Sequence, residues 1–261
     1  MFALVMLDHE STMLDRYRLV PLPYVQFPVF DESFPRSFVY GTIGFTIGHE
    51  ISHSLDVNGR KRDANGEKRE WWKKKWTEEY DKRALCYKEL YDIVKIPNLD
   101  VSLNGTLTLA ENIADNEGIK IAYRAYKKYA AKLKDAAKSD IVDGFTQDQL
   151  FFLGFSQKYC RKTAEFTLYE QNLRDVHAPS EFRIDMVSKN FPPFANAFHC
   201  SPKLTFFLRS RNMLYEVESD YNYIGKEKTV SSWLPGRYTS ASAGVSAKPE
   251  EVQSLPLDKE G

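Results

Sequence analysis

The stretch FVYGTIGFTIGHEISHSLDVNGR, residues 38–60, holds two histidines four positions apart, with a glutamate directly after the first. Positions i and i+4 of an α-helix share a face. His49 and His53 therefore point the same way, one turn apart, and two imidazole nitrogens can reach one ion. Glu50 points about 100° away around the helix, beside that ion rather than onto it. This HExxH pattern suits one zinc ion on two imidazoles, with the glutamate as general base for a water that the metal activates. The competing account is a buried helix on which two histidines merely stack. A catalytic zinc takes three protein ligands and leaves one position open, so the pair is one ligand short.

The stretch LTLAENIADNEG supplies a candidate third ligand, because Glu111 and Asp115 are again i and i+4. Glu111 is far enough beyond His53 to lie on a second helix packed against the first, where its carboxylate would complete a His, His, Glu set. Asp115, one turn on, is placed to accept the free ring N–H of a metal-binding histidine, which fixes the tautomer and raises the basicity of the ligand. Asp56 fits the same part. The usual fate of such an acidic pair is a solvated helix face, but Leu107, Leu109, Ile113 and Ala114 around it argue for a face that is not wholly wet. LRDVHAPSEFRID adds His177 and Arg183. A lone His or Arg is more often structural. Amide hydrolysis, however, needs a donor for the oxyanion that forms and gains from a cation on the substrate carbonyl, and these two side chains suit those tasks.

The elements that must position these residues can be read from period and punctuation. Pro21, Pro23, Pro28 and Pro35 imply an extended start, with LPYVQFPVF strand-like. Residues 38–55 read as an apolar, Gly-containing central helix. DVNGRKRDANGEK has two Asn-Gly pairs and reads as turns or a short hairpin. Residues 71–94 form an amphipathic helix whose Trp and Tyr stripe is expected in the core, and residues 106–134 form a long helix. Thr146 with Gln149 makes a capping box that opens a helix through Cys160. Shorter helices are expected over 163–172 and 180–199, the last broken at Pro192 and Pro193.

The whole chain is compatible with this mainly helical plan. It has 261 residues, 43% of them hydrophobic and 28% charged, which suits a globular protein. Lys+Arg and Asp+Glu are both 36, so nothing supports a nucleic-acid partner or a membrane surface. The apolar run Met1–Leu7 falls well short of the roughly 20 residues that span a bilayer. It lacks a basic flank and is followed by Asp8, so neither a signal peptide nor a transmembrane segment is visible. Cys86, Cys160 and Cys200 are an odd number, so at least one stays free or pairs outside the chain.

The segments GHEISHSLDVNGR, TLAENIADNEGIKIAYRAY, FFLGFSQKYC, DVHAPSEFR and FANAFHC occur in this order, and from about Val39 to Cys200 the chain resembles the neprilysin and endothelin-converting enzyme family. The resemblance implies a mainly α, thermolysin-like gluzincin catalytic domain with a minor β element. It also implies a zinc metalloendopeptidase that acts on peptides, on the amino side of hydrophobic residues, at the cell surface or outside the cell. Residue by residue it implies His49, His53 and Glu111 as ligands of one zinc and Glu50 as general base. It further implies Asp115 as the carboxylate that orients a zinc histidine, with an assigned part in proton transfer, His177 as transition-state stabiliser and Arg183 as the cation on a substrate carbonyl.

Four parts are expected: a divergent segment 1–37, the catalytic domain 38–200, a divergent extension 201–232 and a disordered tail 233–261. The resemblance also implies an Asn-Ala-x-aromatic strand ahead of the HExxH helix and a large N-terminal helical lobe, and residues 1–48 contain no Asn. The expectation is therefore of a catalytic piece without that strand, lobe or a membrane anchor. The disulfide partners that the resemblance implies for the three cysteines are missing too, which leaves Cys86, Cys160 and Cys200 open to intermolecular disulfides. Lys158 stands where the family lines its pocket with apolar residues. The rival reading is a zinc-binding module or decoy with weak or no catalysis.

Overall fold

The computed structural model describes residues 22–132, 142 and 144–200. The expected extension 201–232, the tail 233–261 and the run Met1–Leu7 lie outside the described residues. Within them the chain is helical, and its β structure is confined to three isolated antiparallel bridges, Arg62 to Lys68, Lys95 to Ser102 and Val142 to Phe145. Among the described residues no helix is long and apolar enough to cross a membrane.

The strand-like reading of LPYVQFPVF does not hold. Leu22–Val25 is a 3-10 turn, and the amides of Val29 and Phe30 both turn back to Gln26 O at 3.0 Å. Pro23 and Pro28 have no N–H to give to a ladder, so the segment satisfies its backbone locally instead. The expected central helix is a continuous rod of unequal pitch. It starts with α1 (Arg36–Val39), widens into a π-helical turn at Tyr40–Gly44, continues as α2 (Phe45–Ser52) and tightens into a 3-10 turn at His53–Leu55. Departures from α pitch of this kind cluster at functional sites, and here His49 lies between them and His53 opens the second. The second Asn-Gly pair forms a tight turn closed by the Arg62 to Lys68 bridge, with Gly66 at φ 85°.

Helix α3 (Lys74–Asp92) buries Tyr80, Ala84, Tyr87 and Tyr91 at helical spacing, packed with Ile96, Leu103, Ile113, Phe182 and Met186. The expected aromatic stripe is thus only half core. The tyrosines are buried, whereas Trp71 and Trp76 are exposed. Trp71 precedes the helix, and Trp76 lies a turn before its packed part, where the two line an open cavity of about 700 Å3 with Ile51, Leu55 and Ile121.

Helix α4 (Leu109–Lys132) is the central strut. Its first turns are buried on nearly every side, and their polar groups are bonded in place. Asn116 Nδ2 donates to Tyr91 Oη at 3.1 Å and to Asn112 O at 2.8 Å, and Asn190 Nδ2 donates to Asn116 Oδ1 at 3.1 Å. Helix α5 (Gln147–Gln157) opens with the expected capping box, Gln149 N on Thr146 Oγ1 at 3.3 Å and Thr146 N on Gln149 Oε1 at 2.9 Å. Helices α6 (Glu165–Arg174), α7 (Ser180–Lys189) and α8 (Pro192–Ala197) follow. The break before α8 falls where Pro192 can start a helix but not continue one. A second core is almost wholly aromatic. Tyr123 and Tyr126 of α4 stack on Phe152 and Phe151 of α5, with Phe191, Phe194 and Phe198 edge-on or tilted around Phe152.

Helices α2 and α4 meet backbone to backbone. A Cβ on Gly48 would fall 2.5 Å from Gly118 O, and one on Gly118 would fall 2.6 Å from His49 N. Only two glycines allow that approach, and it brings the HExxH helix against the helix of Glu111. In an uncrowded helix Gly→Ala stabilises by up to about 1 kcal/mol. Here overpacking reverses the sign, and Gly118→Ala is expected to lower the unfolding free energy by about 1–3 kcal/mol. A denaturant midpoint displaced downwards at unchanged slope would report it; a midpoint that stays or rises would contradict the close approach.

Candidate metal centre

His49 lies in the last turn of the α part of the rod and His53 begins its 3-10 turn. Both are buried, and their Nε2 atoms lie 3.0 Å apart. The carboxylate of Glu111, in the first turn of α4, closes the third side, with Oε2 3.2 Å from His49 Nε2 and Oε1 3.4 Å from His53 Nε2. Glu111 is 3% exposed and Asp115 is 1% exposed, so the solvated-face account of this pair is overturned. Asp115 Oδ1 takes His49 Nδ1 at 2.9 Å, and Asp56 Oδ2 takes His53 Nδ1 at 2.7 Å. Sequence left the two aspartates as alternatives for one task, and each serves its own histidine. Asp56 is itself fixed by the amides of Asn58 and Gly59, both 2.7 Å from its Oδ1.

These contacts define what the cluster lacks. A carboxylate on each Nδ1–H leaves each Nε2 as a lone pair, and the two lone pairs face each other and a carboxylate. Glu111 Oε2 is buried and left without a hydrogen bond, although His49 Nε2 and, at 3.1 Å, His177 Nε2 crowd it. Acceptors converging on one buried point call for a cation. Two imidazoles and one carboxylate are the donor set of catalytic zinc sites, and two nitrogens at about 2.0–2.1 Å from a tetrahedral ion stand a little over 3 Å apart. The residues present fit zinc. Burial alone would depress the His49 pKa, but Asp115 and Glu111 outweigh it and raise the value above the ordinary one, a proton standing where a cation is wanted. Burial likewise opposes ionisation of Glu111, yet His177 and His49 hold its carboxyl well below the usual range.

Arg183, from α7, grips Asp115 with both arms of its fork, Nε on Oδ2 at 2.6 Å and Nη2 on Oδ1 at 2.7 Å, and Nη2 lies 3.9 Å from Glu111 Oε2. Despite its burial, Asp115 is held far below the usual carboxylate range, first by the Arg183 charge and then by His49. His177 precedes α7, its Nδ1 and its amide both bonded to Asp175 Oδ1 at 2.9 Å. Burial lowers its pKa, but Glu111 and Asp175 raise it overall. Glu50 is half-buried and makes no ion pair or hydrogen bond with the described residues.

A family model described as Peptidase family M13 matches residues 14–214. The chain belongs to this family. Among M13 relatives, neprilysin-1 of Caenorhabditis elegans is 41% identical over 181 residues, 69% of this chain and 24% of the relative. Human endothelin-converting enzyme 1 is 38% identical over 182 residues, covering 70% and 23%. The zinc metalloprotease Zmp1 of Mycobacterium tuberculosis, solved with an inhibitor, superposes with a TM-score of 0.64 at 31% identity, over 70% of this chain and 28% of that one. The chain spans about a quarter of the length of the curated relatives it matches.

The M13 chain brings His49, His53, Glu111, Asp115, His177 and Arg183 into one contiguous set, with Glu50 beside His49. None of them lines the 700 Å3 cavity, which opens on other residues of α2 and α4. Two contributors escaped the sequence reading. Asp175, two residues before His177, carries a faint signal in the Asp-x-His spacing. Tyr159, whose ring lies 5.0 Å from the Arg183 guanidinium, carries none. All three cysteines are free.

The Asp115 contact with His49 has a direct test. Asp115→Asn keeps the shape and removes the charge, and zinc affinity is expected to fall about 10–100-fold, measured by competition with a chelating dye. Affinity equal to wild type would show that Asp115 supports Arg183 alone.

Proposed function

We propose that this chain carries the working centre of a zinc-dependent metalloendopeptidase. The observation that carries the reading is the convergence of two imidazole lone pairs and an unsatisfied buried carboxylate oxygen on one point, in an M13 chain whose Glu50 directly follows His49 in sequence. His49, His53 and Glu111 would hold one zinc per chain. When bound, the ion supplies a Lewis acid that brings the pKa of a water toward about 7 and polarises a carbonyl.

The protein's own groups supply the rest. Asp115 and Asp56 keep the Nδ1–H of each histidine occupied, so Nε2 is the atom presented to the ion. Glu50, without a competing partner among the described residues, takes a proton from the attacking water and returns it to the leaving amine as the C–N bond breaks. His177, tied at Nδ1 to Asp175, presents Nε2, which when protonated donates to the oxygen on which charge develops. Arg183 is fixed by Asp115 in a single orientation, and its remaining N–H groups are set to hold a substrate carbonyl. Peptides are the substrate class, and an extracellular or cell-surface setting is inferred from the family resemblance. The rival reading, a zinc-holding module without catalysis, has no comparable support among the relatives.

Glu50→Gln tests the chemistry. Peptide hydrolysis is expected to fall by about 10²–10⁴-fold, with zinc still at one per chain by elemental analysis. Hydrolysis that survives the substitution would sink this reading. The exposed thiol of Cys160 leaves the chain open to intermolecular pairing. Non-reducing electrophoresis is expected to show disulfide-linked dimers that Cys160→Ser removes, and a clean monomer would reject that pairing.

A further inference from the structure

Lys158 closes the C-terminal end of α5, and the residue is exposed. Its ammonium is nonetheless held in place. It lies 4.9 Å from the centre of the Phe45 ring, 5.1 Å from that of Tyr159 and 3.3 Å from Thr46 Oγ1. Phe45 and Thr46 stand one turn ahead of His49 and Glu50 on α2, and the Phe45 ring is 6.1 Å from that of His49. Tyr159 is the ring that Arg183 also covers. Two cations therefore share one aromatic ring at the edge of the metal centre.

Their partners differ. Arg183 is neutralised by Asp115 at two hydrogen bonds. Among the described residues no carboxylate lies within ion-pair distance of Lys158, and it feels Glu50, Glu111 and Asp115 only at longer range. Desolvation of the ammonium, and then the Arg183 charge, lower its pKa to about 8, against the opposing pull of Asp115, Glu50 and Glu111. An ammonium so placed retains its charge best when an anion arrives. Two aromatic faces and a hydroxyl orient it but cannot neutralise it, and solvent access leaves room for a ligand.

We propose that Lys158 is a specificity-determining residue whose ammonium receives a carboxylate of the peptide, so that the site favours an acidic residue, or a free C-terminal carboxylate, near the cleaved bond. This inference rests on the peptidase reading above. It differs from the preference for hydrophobic residues that the family resemblance implies, because an apolar lining does not discriminate Glu from Gln in favour of the charge, whereas a lone ammonium does.

The test compares matched peptides on the zinc-loaded protein, with Glu and Gln exchanged on each side of the cleaved bond in amidated peptides, and free-acid against amidated ends in otherwise neutral ones. The first arm reads the side-chain source and the second the terminal source. In at least one arm the charged peptide is expected to show about 10-fold higher kcat/KM. Lys158→Met should bring that ratio to about one, Lys158→Arg should retain it, and added salt should diminish it. A binding arm uses the zinc-loaded Glu50→Gln protein and calorimetry, where the same preference should appear in Kd. Ratios near one in both arms of the wild type, or a preference that survives Lys158→Met, would overturn the assignment. Failure of the wild type to cleave any peptide would reject the peptidase reading instead, and the binding arm would still decide the part played by Lys158.

Discussion

The site depends on the contact between Gly48 and Gly118, where two helix backbones touch with no side chain between them. Any Cβ there would drive α2 from α4. His49 and His53 belong to one helix and Glu111 and Asp115 to the other, so the donor set exists only while the backbones are this close. The approach also removes water from the seam, which is why Glu111 and Asp115 are almost fully buried. Close packing and metal-ligating geometry are therefore one constraint. The π-helical turn before α2 and the 3-10 turn after it adjust the pitch on either side of the contact.

Burying charge in that seam has a large cost unless each group is matched. The matching runs in a chain of direct contacts. Arg183 meets Asp115, Asp115 meets His49, and Asp56 meets His53. Glu111 is the member whose oxygen stays unsatisfied. The chain thus ends at the point where an external cation is needed, and the aspartates and the arginine serve to hold neutral imidazoles toward it. On the open side the charges are looser. His177 is tied to Asp175 on a half-exposed loop, and Lys158 stands over two rings without a carboxylate. Rigid, matched charge lies behind the metal site, and adaptable, incompletely matched charge lies in front of it, where a peptide would arrive.

Much of this was legible from the chain because helical geometry is local. The i, i+4 spacing of His49 and His53, and of Glu111 and Asp115, fixes which side chains share a face whatever the helix packs against. The same holds for the capping box of Thr146 and Gln149 and for the start of α8 at Pro192. Ordered motifs from Gly48 to Cys200 sufficed to indicate the M13 family. What the residues implied singly was less secure. The tryptophans of 71–76 have the character of core residues, yet all three line an open cavity and two of them are exposed, because the helix they introduce packs only from Tyr80 onward. The proline-bearing start reads as extended by torsion preference, yet it curls into turns, because a strand without donors or a neighbour has nothing to pair with.

By itself, then, the sequence determined the residue types, their helical faces and the family to which they belong. Only the tertiary structure decided which aspartate serves which histidine, that Arg183 is engaged by Asp115, that Asp175 steadies His177, and that Lys158 reaches the rim of the site. Each of those pairings joins residues on different elements, or on a loop whose course no periodicity sets. Their distances follow from how closely two helices can approach, and that is settled by packing at positions such as Gly48 and Gly118 rather than by spacing along the chain.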